Sequence, residues 1–131
     1  MILTDTHTHL YANQFDEDRN EIISNCFNNN ITRLFLPNID KESVDGMMEL
    51  VAQYPGNCFP MIGIHPCSVN ENWKAELDEY KELLKKETFY AIGEIGIDLY
   101  WDKTFLKQQQ EAFKFQIQLA KKHKLPIVIH C

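Results

Sequence analysis

Ala91-Ile92-Gly93-Glu94-Ile95-Gly96-Ile97-Asp98 is an apolar stretch that is interrupted by one carboxylate between two glycines. Such a composition is typical of a parallel strand that is buried on both faces. A carboxylate inside it needs a cation or hydrogen-bond donors to offset the cost of its burial. A salt bridge or a solvated strand end would also satisfy Glu94, so this residue alone does not define a site.

Apolar runs of this kind recur along the chain, and each is followed by a polar turn and a segment with helical spacing. They predict five strands, at residues 2–6, 32–37, 58–64, 89–95 and 126–130. Four helices are predicted between them, with Asp40 and Thr104 as N-caps of the second and fourth. Their apolar faces carry Ile22, Ile23, Cys26 and Phe27; Val44, Met47, Met48 and Val51; Trp73, Leu77, Tyr80 and Leu84; and Phe113, Ile117 and Ala120.

The alternation of strands and helices predicts an α/β protein with parallel strands and right-handed crossovers. The repeat is roughly 31 residues, and eight such units would give the roughly 250 residues of a (β/α)8 barrel. We therefore expect residues 1–131 to form a single domain with the first five strands and four helices of a TIM-type (β/α)8 barrel. A doubly wound open sheet of five strands fits the length better, and only the side chains at the strand ends favour the barrel.

Composition excludes several classes of protein. The 13 basic and 19 acidic residues give a net charge of -6, which opposes broad binding to nucleic-acid backbones and argues against a histone-like or repressor-like role. The longest apolar runs are far shorter than the roughly 20 residues of a membrane span, and the N-terminus does not resemble a signal peptide, which predicts a cytoplasmic protein with no membrane partner. The four cysteines form no C-x-x-C pair and are expected to be reduced.

Two histidines follow the first predicted strand, in Asp5-Thr6-His7-Thr8-His9. The two-residue period of a strand sends His7 and His9 to the same side. Neutral imidazole is the commonest side-chain metal ligand, so the pair can contribute two nitrogens to one ion. The alternative is a pair of loop histidines without a ligand role.

Two further histidines follow the third and fifth predicted strands. His130 closes the run Ile127-Val128-Ile129-His130, and His65 lies in Gly63-Ile64-His65-Pro66. Each has an ordinary alternative: a hydrogen-bonded core histidine for His130, and a loop-anchoring hydrogen bond for His65, which could otherwise bind a metal or an anionic substrate. Because three strands place metal-competent groups at the end where α/β barrels carry their sites, we expect a metal centre there.

Motifs for other chemistries are absent: the sequence has no phosphate-binding G-x-x-x-x-G-K loop, no G-x-S-x-G elbow and no G-x-G-x-x-G fingerprint. Five blocks instead resemble the TatD family of metal-dependent deoxyribonucleases, in order and over the whole chain. The H-x-H block is shared with the wider amidohydrolase group, whereas the G-x-H-P and G-E-x-G-x-D blocks are more specific. The blocks are D-T-H-T-H-L at 5–10, G-I-H-P at 63–66, G-E-I-G-I-D at 93–98, Q-x-x-x-F-x-x-Q-x-x-L-A at 109–120 and P-I-V-I-H-C at 126–131.

The resemblance implies a barrel hydrolase that cleaves phosphodiester bonds of DNA with two divalent metal ions, and it does not separate Mg, Mn and Zn. By position, His7 and His9 would hold one ion and His130 the second. Glu94 would bridge both ions and be the catalytic residue. Two ions placed in this way can activate water and stabilise charge on phosphate oxygens.

The resemblance also implies roles around the ions. His65 would bind the substrate beside its phosphate, and Tyr100 and Trp101 would stack on a base or, alternatively, form a hydrophobic lid. Asp5 and Asp98 would orient loops and ligands instead of binding metal.

The family supplies a further histidine, an aspartate and an arginine beyond the position of Cys131, where this sequence ends. We therefore expect the N-terminal half of such an enzyme, arising by truncation, a natural split or an incomplete gene sequence, and weakly active or inactive alone. Its open sheet edges would pair with a second copy or with the missing C-terminal half. The alternatives are a related barrel hydrolase that acts on C–N or ester bonds, and a non-catalytic associating fragment.

Overall fold

The structure is a computed structural model that describes residues 1–131. Its five strands are β1 (Leu3–Asp5), β2 (Ile31–Leu36), β3 (Cys58–Pro60), β4 (Ile92–Gly96) and β5 (Ile127–His130). Its four helices are α1 (Arg19–Asn28), α2 (Lys41–Gln53), α3 (Trp73–Lys86) and α4 (Leu106–His123), and 3-10 turns lie at Asn13–Phe15 and Pro66–Ser68. The predicted number and order of elements are confirmed, although β3 is shorter than predicted and β4 begins later.

The strands are parallel and lie in the order of the chain. β1, β2 and β3 pair in one sheet, and β4 pairs with β5. An isolated parallel bridge between Ile62 and Ile92 joins the two sheets, and the Gly93 N–H donates to the Ile62 carbonyl at 2.9 Å. A doubly wound sheet reverses its strand order at a switch point, whereas this sheet does not. The sequential order is that of a (β/α) barrel, and the open-sheet alternative is wrong.

A single hydrophobic core lies between the strands and the helices. Ile23 of α1, Met47 of α2 and Tyr80 of α3 are each at most 1% exposed and pack with Leu34 and Ile92 of the sheet. The apolar faces predicted for the first three helices are therefore confirmed. No helix in the structure combines the length and the apolar composition that a membrane crossing requires.

The predicted face of α4 packs against the core, but it is not the most deeply buried part of the helix. Ala120 is buried as predicted, whereas Phe113 and Ile117 are only partly buried. The sequence analysis did not predict the two glutamines among the buried residues, because apolar spacing does not assign polar side chains to a core. The buried residues of α4 are Gln109, Ala112, Gln116, Leu119 and Ala120.

One of the two predicted N-caps is confirmed. The Asp40 carboxylate accepts the N–H of Ser43 at 3.0 Å, which satisfies a free amide in the first turn of α2. Thr104 is not the cap of α4, because the helix begins at Leu106 and the Thr104 hydroxyl donates to Asp102 at 2.6 Å. The Thr104 hydroxyl is engaged in this local turn with Asp102 and does not cap the first turn of α4.

The outer strands are exposed. Leu3 in β1 and Ile127 and Ile129 in β5 are 42%, 38% and 48% exposed, whereas every residue of β4 is buried. Burial of strands on both faces is therefore confirmed for β4 and wrong for β1 and β5. Each outer strand has one edge without a partner strand, and such edges can pair with another chain.

The approach of β4 to β5 requires glycine at position 93. A Cβ atom on Gly93 would lie 2.8 Å from the Val128 Cβ, so Gly93→Ala should lower the free energy of unfolding by about 1–3 kcal/mol. Gly46 lies on an exposed position of α2 with its nearest neighbour at 3.8 Å. Gly46→Ala should therefore raise the free energy of unfolding by about 0.5–1 kcal/mol. Urea unfolding followed by circular dichroism measures the free energy of unfolding of both variants. Changes of the same sign in the two variants would contradict the packing described here.

Candidate metal centre

The Glu94 carboxylate lies at the centre of the site. The residue belongs to β4 and is only 5% exposed. Its Oε2 atom lies 3.1 Å from the His7 Nε2 and 3.6 Å from the His9 Nε2. Its Oε1 atom lies 2.9 Å from the His130 Nδ1 and 3.9 Å from the His65 Nε2. Each oxygen therefore faces its own pair of imidazoles.

We call these five residues the histidine cluster: His7, His9, His65, Glu94 and His130. The structure brings together all four residues predicted as metal ligands, and it adds His65 to them. Within the cluster, the His7 group is His7, His9 and the Glu94 Oε2, and the His130 group is His65, His130 and the Glu94 Oε1. The potential ligand atoms of each group lie within 4.8 Å of one another.

His7 and His9 reach Glu94 because the chain stays extended after β1 ends. The Thr8 N–H donates to the Phe35 carbonyl at 3.0 Å, which continues the pairing with β2 beyond Asp5. The two rings are 5.2 Å apart between centroids and nearly perpendicular. The Asp5 carboxylate accepts the His7 N–H at 3.0 Å. Asp5 therefore contacts the backbone of a site residue, in keeping with its predicted orienting role.

Tyr11 determines which nitrogen of His9 carries a proton. The Tyr11 hydroxyl donates to the Pro37 carbonyl at 2.5 Å and lies 2.9 Å from the His9 Nδ1. Burial raises the pKa of Tyr11, so the hydroxyl keeps its single proton, and that proton is already used. It must therefore accept the Nδ1–H of His9, so the Nε2, 3.6 Å from the Glu94 Oε2, is the nitrogen that a neutral ring would offer to a cation.

His130 lies between two carboxylates. Its Nδ1 is 2.9 Å from the Glu94 Oε1, and its Nε2 is 2.8 Å from the Asp98 Oδ2. Burial alone would lower the pKa of His130, but the hydrogen bonds to Asp98 and Glu94 outweigh it and raise that pKa. Loss of the Nδ1 proton leaves a lone pair facing Glu94, while Asp98 still accepts the Nε2–H. A carboxylate behind a histidine in this way is a common support of metal ligands.

His65 has the opposite arrangement of hydrogen bonds. Its Nδ1 accepts the Cys67 N–H at 3.1 Å, which anchors the loop after β3 as one of the sequence alternatives predicted. The ring is neutral because burial lowers the pKa of His65, and its proton therefore lies on Nε2. That Nε2–H points into the site, 3.2 Å from the His130 Nδ1. His65 thus offers the site a hydrogen-bond donor and no free lone pair.

Hydrogen bonds and neighbouring charges keep the two carboxylates of the site ionised. Burial alone would raise the pKa of Glu94, but contacts with the surrounding imidazoles, His9 and His130 foremost, outweigh it and lower that pKa from 4.5 to about 2. The pKa of Asp98 is lowered too, chiefly by the Tyr100 N–H. The same carboxylates favour the charged form of His130, and a bound cation could supply that positive charge instead.

The donor atoms fit a divalent metal ion. The His7 group offers two imidazole nitrogens, which suit Zn, and a carboxylate oxygen, which suits Mg and Mn, so the donor set does not separate these ions. The His130 group offers two lone pairs, from Glu94 and His130, since the His65 Nε2 carries a proton. Both groups leave coordination positions for ligands from outside these residues. Their roles as metal ligands stay predictions.

Tyr100 and Trp101 lie on the loop that follows Asp98. They are 83% and 80% exposed, and their rings meet edge to face at 4.8 Å. The hydrophobic lid and the stacking on a base both stay predictions. The Tyr100 N–H donates to Asp98 at 2.9 Å, which connects the loop to the site.

Sequence reasoning missed Tyr11, Gln109 and Gln116 as supports of the site. Tyr11 continues the two-residue period of His7 and His9, a signal that could have placed it on the same side. Gln109 and Gln116 are seven residues apart, which is two helical turns and therefore one face of α4. Their polar character on that face was the available signal.

The tautomer of His9 provides a direct check on the role of Tyr11. In the metal-free protein the His9 Nδ1 should be protonated, and Tyr11→Phe should give a mixture of the two tautomers because the acceptor is lost. Long-range nitrogen–proton NMR spectra of the imidazole rings report the tautomer. Tyr54→Phe is the matched control, since the Tyr54 hydroxyl donates to Asn20 on the surface. An unchanged His9 spectrum in Tyr11→Phe would contradict the assignment.

The sequence matches a known family over nearly its whole length. The sequence model of the family described as "TatD related DNase" matches residues 4–131. The "uncharacterized metal-dependent hydrolase YabD" of Bacillus subtilis is 37% identical over 129 residues, which are 98% of this chain and 50% of that protein. The "3'-5' ssDNA/RNA exonuclease TatD" of Pantoea sp. is 30% identical over 128 residues, 97% of this chain and 49% of that protein.

Solved structures show the same fold. The TatD homologue YJJV of Escherichia coli superimposes with a TM-score of 0.84 at 23% identity, over 98% of this chain and 50% of that one. A TatD-family hydrolase of Entamoeba histolytica gives 0.84 at 22% identity, over 100% and 50%. The chain thus spans about half the length of the relatives that it matches. From the match over residues 4–131, this chain belongs to the TatD family, whose named relatives here are metal-dependent hydrolases and nucleases.

Proposed function

We propose that this chain supplies the metal centre of a hydrolase that cleaves phosphodiester bonds of DNA. One observation carries the proposal: the two oxygens of the buried Glu94 face different groups of imidazoles, His7 with His9 and His130 with His65. A carboxylate so placed can bridge two cations, one at each oxygen. Two divalent ions held there would stabilise negative charge on phosphate oxygens and make a water molecule easier to deprotonate.

The residues around Glu94 have different roles in this proposal. His7 and His9 would hold one cation beside Glu94, and Tyr11 leaves the His9 Nε2 as the nitrogen available to it. His130 would hold the second cation through Nδ1. In this proposal Asp98 accepts the Nε2–H of His130 and so fixes its ring.

His65 binds the substrate in this proposal. Its Nε2–H is the donor that faces the site, because the Cys67 N–H occupies Nδ1. A donor at this place suits a non-bridging phosphate oxygen and does not suit a metal. The sequence alternative of His65 as a metal ligand is therefore not favoured.

Single-stranded nucleic acid is the substrate that we propose. The Pantoea relative is named a 3'-5' exonuclease of single-stranded DNA and RNA. In this chain the exposed rings of Tyr100 and Trp101 adjoin Asp98, and aromatic rings can stack on unpaired bases. The net charge of -6 opposes extended binding to a phosphate backbone, so recognition would concentrate on a few nucleotides at the site.

A second polypeptide segment is the partner that we propose for the open sheet. The relatives are about twice as long as the matched region, and β1 and β5 each leave one edge and apolar side chains exposed. The remaining strands of a barrel would pair with these edges and bring further ligands to the ions. Self-association through the same edges is the competing outcome, and the cytoplasmic location stays a prediction.

A complementation assay tests this function. The chain is incubated with Mn²⁺, alone and mixed with the half of YabD that its match does not cover, on single-stranded DNA and RNA labelled at one end. We expect divalent-dependent release of nucleotides from the mixture and little from the chain alone. His7→Ala combined with His9→Ala should abolish the release, and chelation by EDTA should do the same. His123→Ala is the control, because His123 ends α4 away from the histidine cluster.

The outcomes separate the alternatives. Hydrolysis of carboxyl esters or cyclic amides without cleavage of DNA or RNA would favour the related barrel hydrolase. A discrete homo-oligomer in sedimentation, with no stoichiometric uptake of metal, would favour the non-catalytic fragment. Release of nucleotides that survives the double histidine substitution would refute the proposal.

A further inference from the structure

Two glutamines lie on the buried face of α4. Gln109 is 4% exposed and Gln116 is 1% exposed, in a helix whose other buried residues are aliphatic. Glutamine is uncommon in such positions unless its amide is hydrogen-bonded, because burial of an unpaired amide is costly. Neither side chain bonds to the other or to α4.

Gln116 binds the backbone of the residue before His65. Its Oε1 accepts the Ile64 N–H at 2.8 Å, and its Nε2 donates to the Ile64 carbonyl at 3.4 Å. Ile64 is 1% exposed, and its peptide groups lie beyond the end of β3. The Gln116 amide therefore supplies the two hydrogen bonds that a neighbouring strand would give to Ile64, at the start of the loop that carries His65.

Gln109 makes the same pair of bonds to Asp98. Its Oε1 accepts the Asp98 N–H at 2.8 Å, and its Nε2 donates to the Asp98 carbonyl at 2.9 Å. Asp98 lies two residues after β4, so this loop too is held at its beginning. A single helix thus holds two loops by the same interaction.

Both loops meet at His130. The His65 Nε2 lies 3.2 Å from its Nδ1, and the Asp98 Oδ2 lies 2.8 Å from its Nε2. α4 leads directly into β5, the strand that ends with His130. The glutamines are seven residues apart, about 10.5 Å along the helix axis at a rise of 1.5 Å per residue, which is just under two turns. The helix before His130 therefore fixes the neighbours of both ring nitrogens.

We infer that Gln109 and Gln116 are positioning residues of the His130 group: they set where Asp98 and His65 stand relative to the His130 ring. The inference rests on the proposed function in one respect, namely that the His130 group holds an ion. The contacts themselves do not depend on that ion. Loss of either glutamine should change the surroundings of His130 while the His7 group, on the far oxygen of Glu94, keeps its geometry.

Two substitutions and two controls on the same helix test the inference. Gln109→Met and Gln116→Met keep the length of the side chain and remove both hydrogen bonds. Gln110→Met and Gln118→Met are the matched controls, because those glutamines are exposed. Nitrogen–proton NMR spectra of the histidine rings are recorded on the metal-free chain, and Zn²⁺ binding is measured by calorimetry.

In Gln109→Met we expect the His130 Nε2 resonance to shift, and in Gln116→Met the resonances of His65 and the His130 Nδ1. Zn²⁺ should bind the His130 group about tenfold more weakly in both variants, as is typical when a support behind a ligand is removed. The rings of His7 and His9, and both controls, should remain as in the unsubstituted chain. Gln109 supports the loop at Asp98, which is more exposed than Ile64. The variant Gln109→Met therefore provides the test if Gln116→Met does not fold.

Unchanged His130 and His65 resonances in a folded variant would overturn the inference, even if the midpoint of urea unfolding falls. Equal weakening of Zn²⁺ binding at both groups would overturn it as well, since that result indicates general loosening. Absence of Zn²⁺ binding in the unsubstituted chain would refute the proposed function alone, because the ring resonances of the metal-free protein still decide the role of the glutamines.

Discussion

A carboxylate held almost out of solvent between two pairs of imidazoles is the constraint on which this structure depends. Glu94 is 5% exposed, and its burial is tolerable only because positive or donor groups surround both oxygens. The chain therefore has to bring the segment after β1, the loop after β3 and the end of β5 to β4. Parallel strands in sequential order do this, since their carboxyl ends meet at one rim.

The rings around Glu94 differ in what their outer nitrogen contacts. Tyr11 accepts from His9, Asp98 accepts from His130, and the Cys67 N–H donates to His65. The first two contacts leave the nitrogen that faces Glu94 free to bind a cation once it has no proton, whereas the third leaves a proton there. Three chemically identical side chains thereby divide into two proposed ligands and one proposed substrate donor. The neighbours Tyr11, Asp98 and Cys67, and not the histidines themselves, determine these different roles.

The sequence predicted the barrel order and the convergence of His7, His9, Glu94 and His130, because strand period and strand polarity fix where such groups emerge. It could not predict what supports them. The pattern of apolar residues predicts which apolar side chains of α4 face the core, but it predicts no contact for the glutamines. Their partners are backbone groups of loops that are far away in sequence. The cap at Thr104 failed for a related reason, since Asp102 competes locally for its hydroxyl.

The central claim is that Glu94 joins two cation positions, and electron paramagnetic resonance of the chain loaded with Mn²⁺ tests it most directly. The account predicts the spectrum of an exchange-coupled pair of ions about 3.5–4 Å apart. That spectrum should give way to isolated Mn²⁺ in Glu94→Gln, which removes the bridge but keeps the shape of the side chain. Isolated Mn²⁺ in the unsubstituted chain at saturating metal would contradict the account.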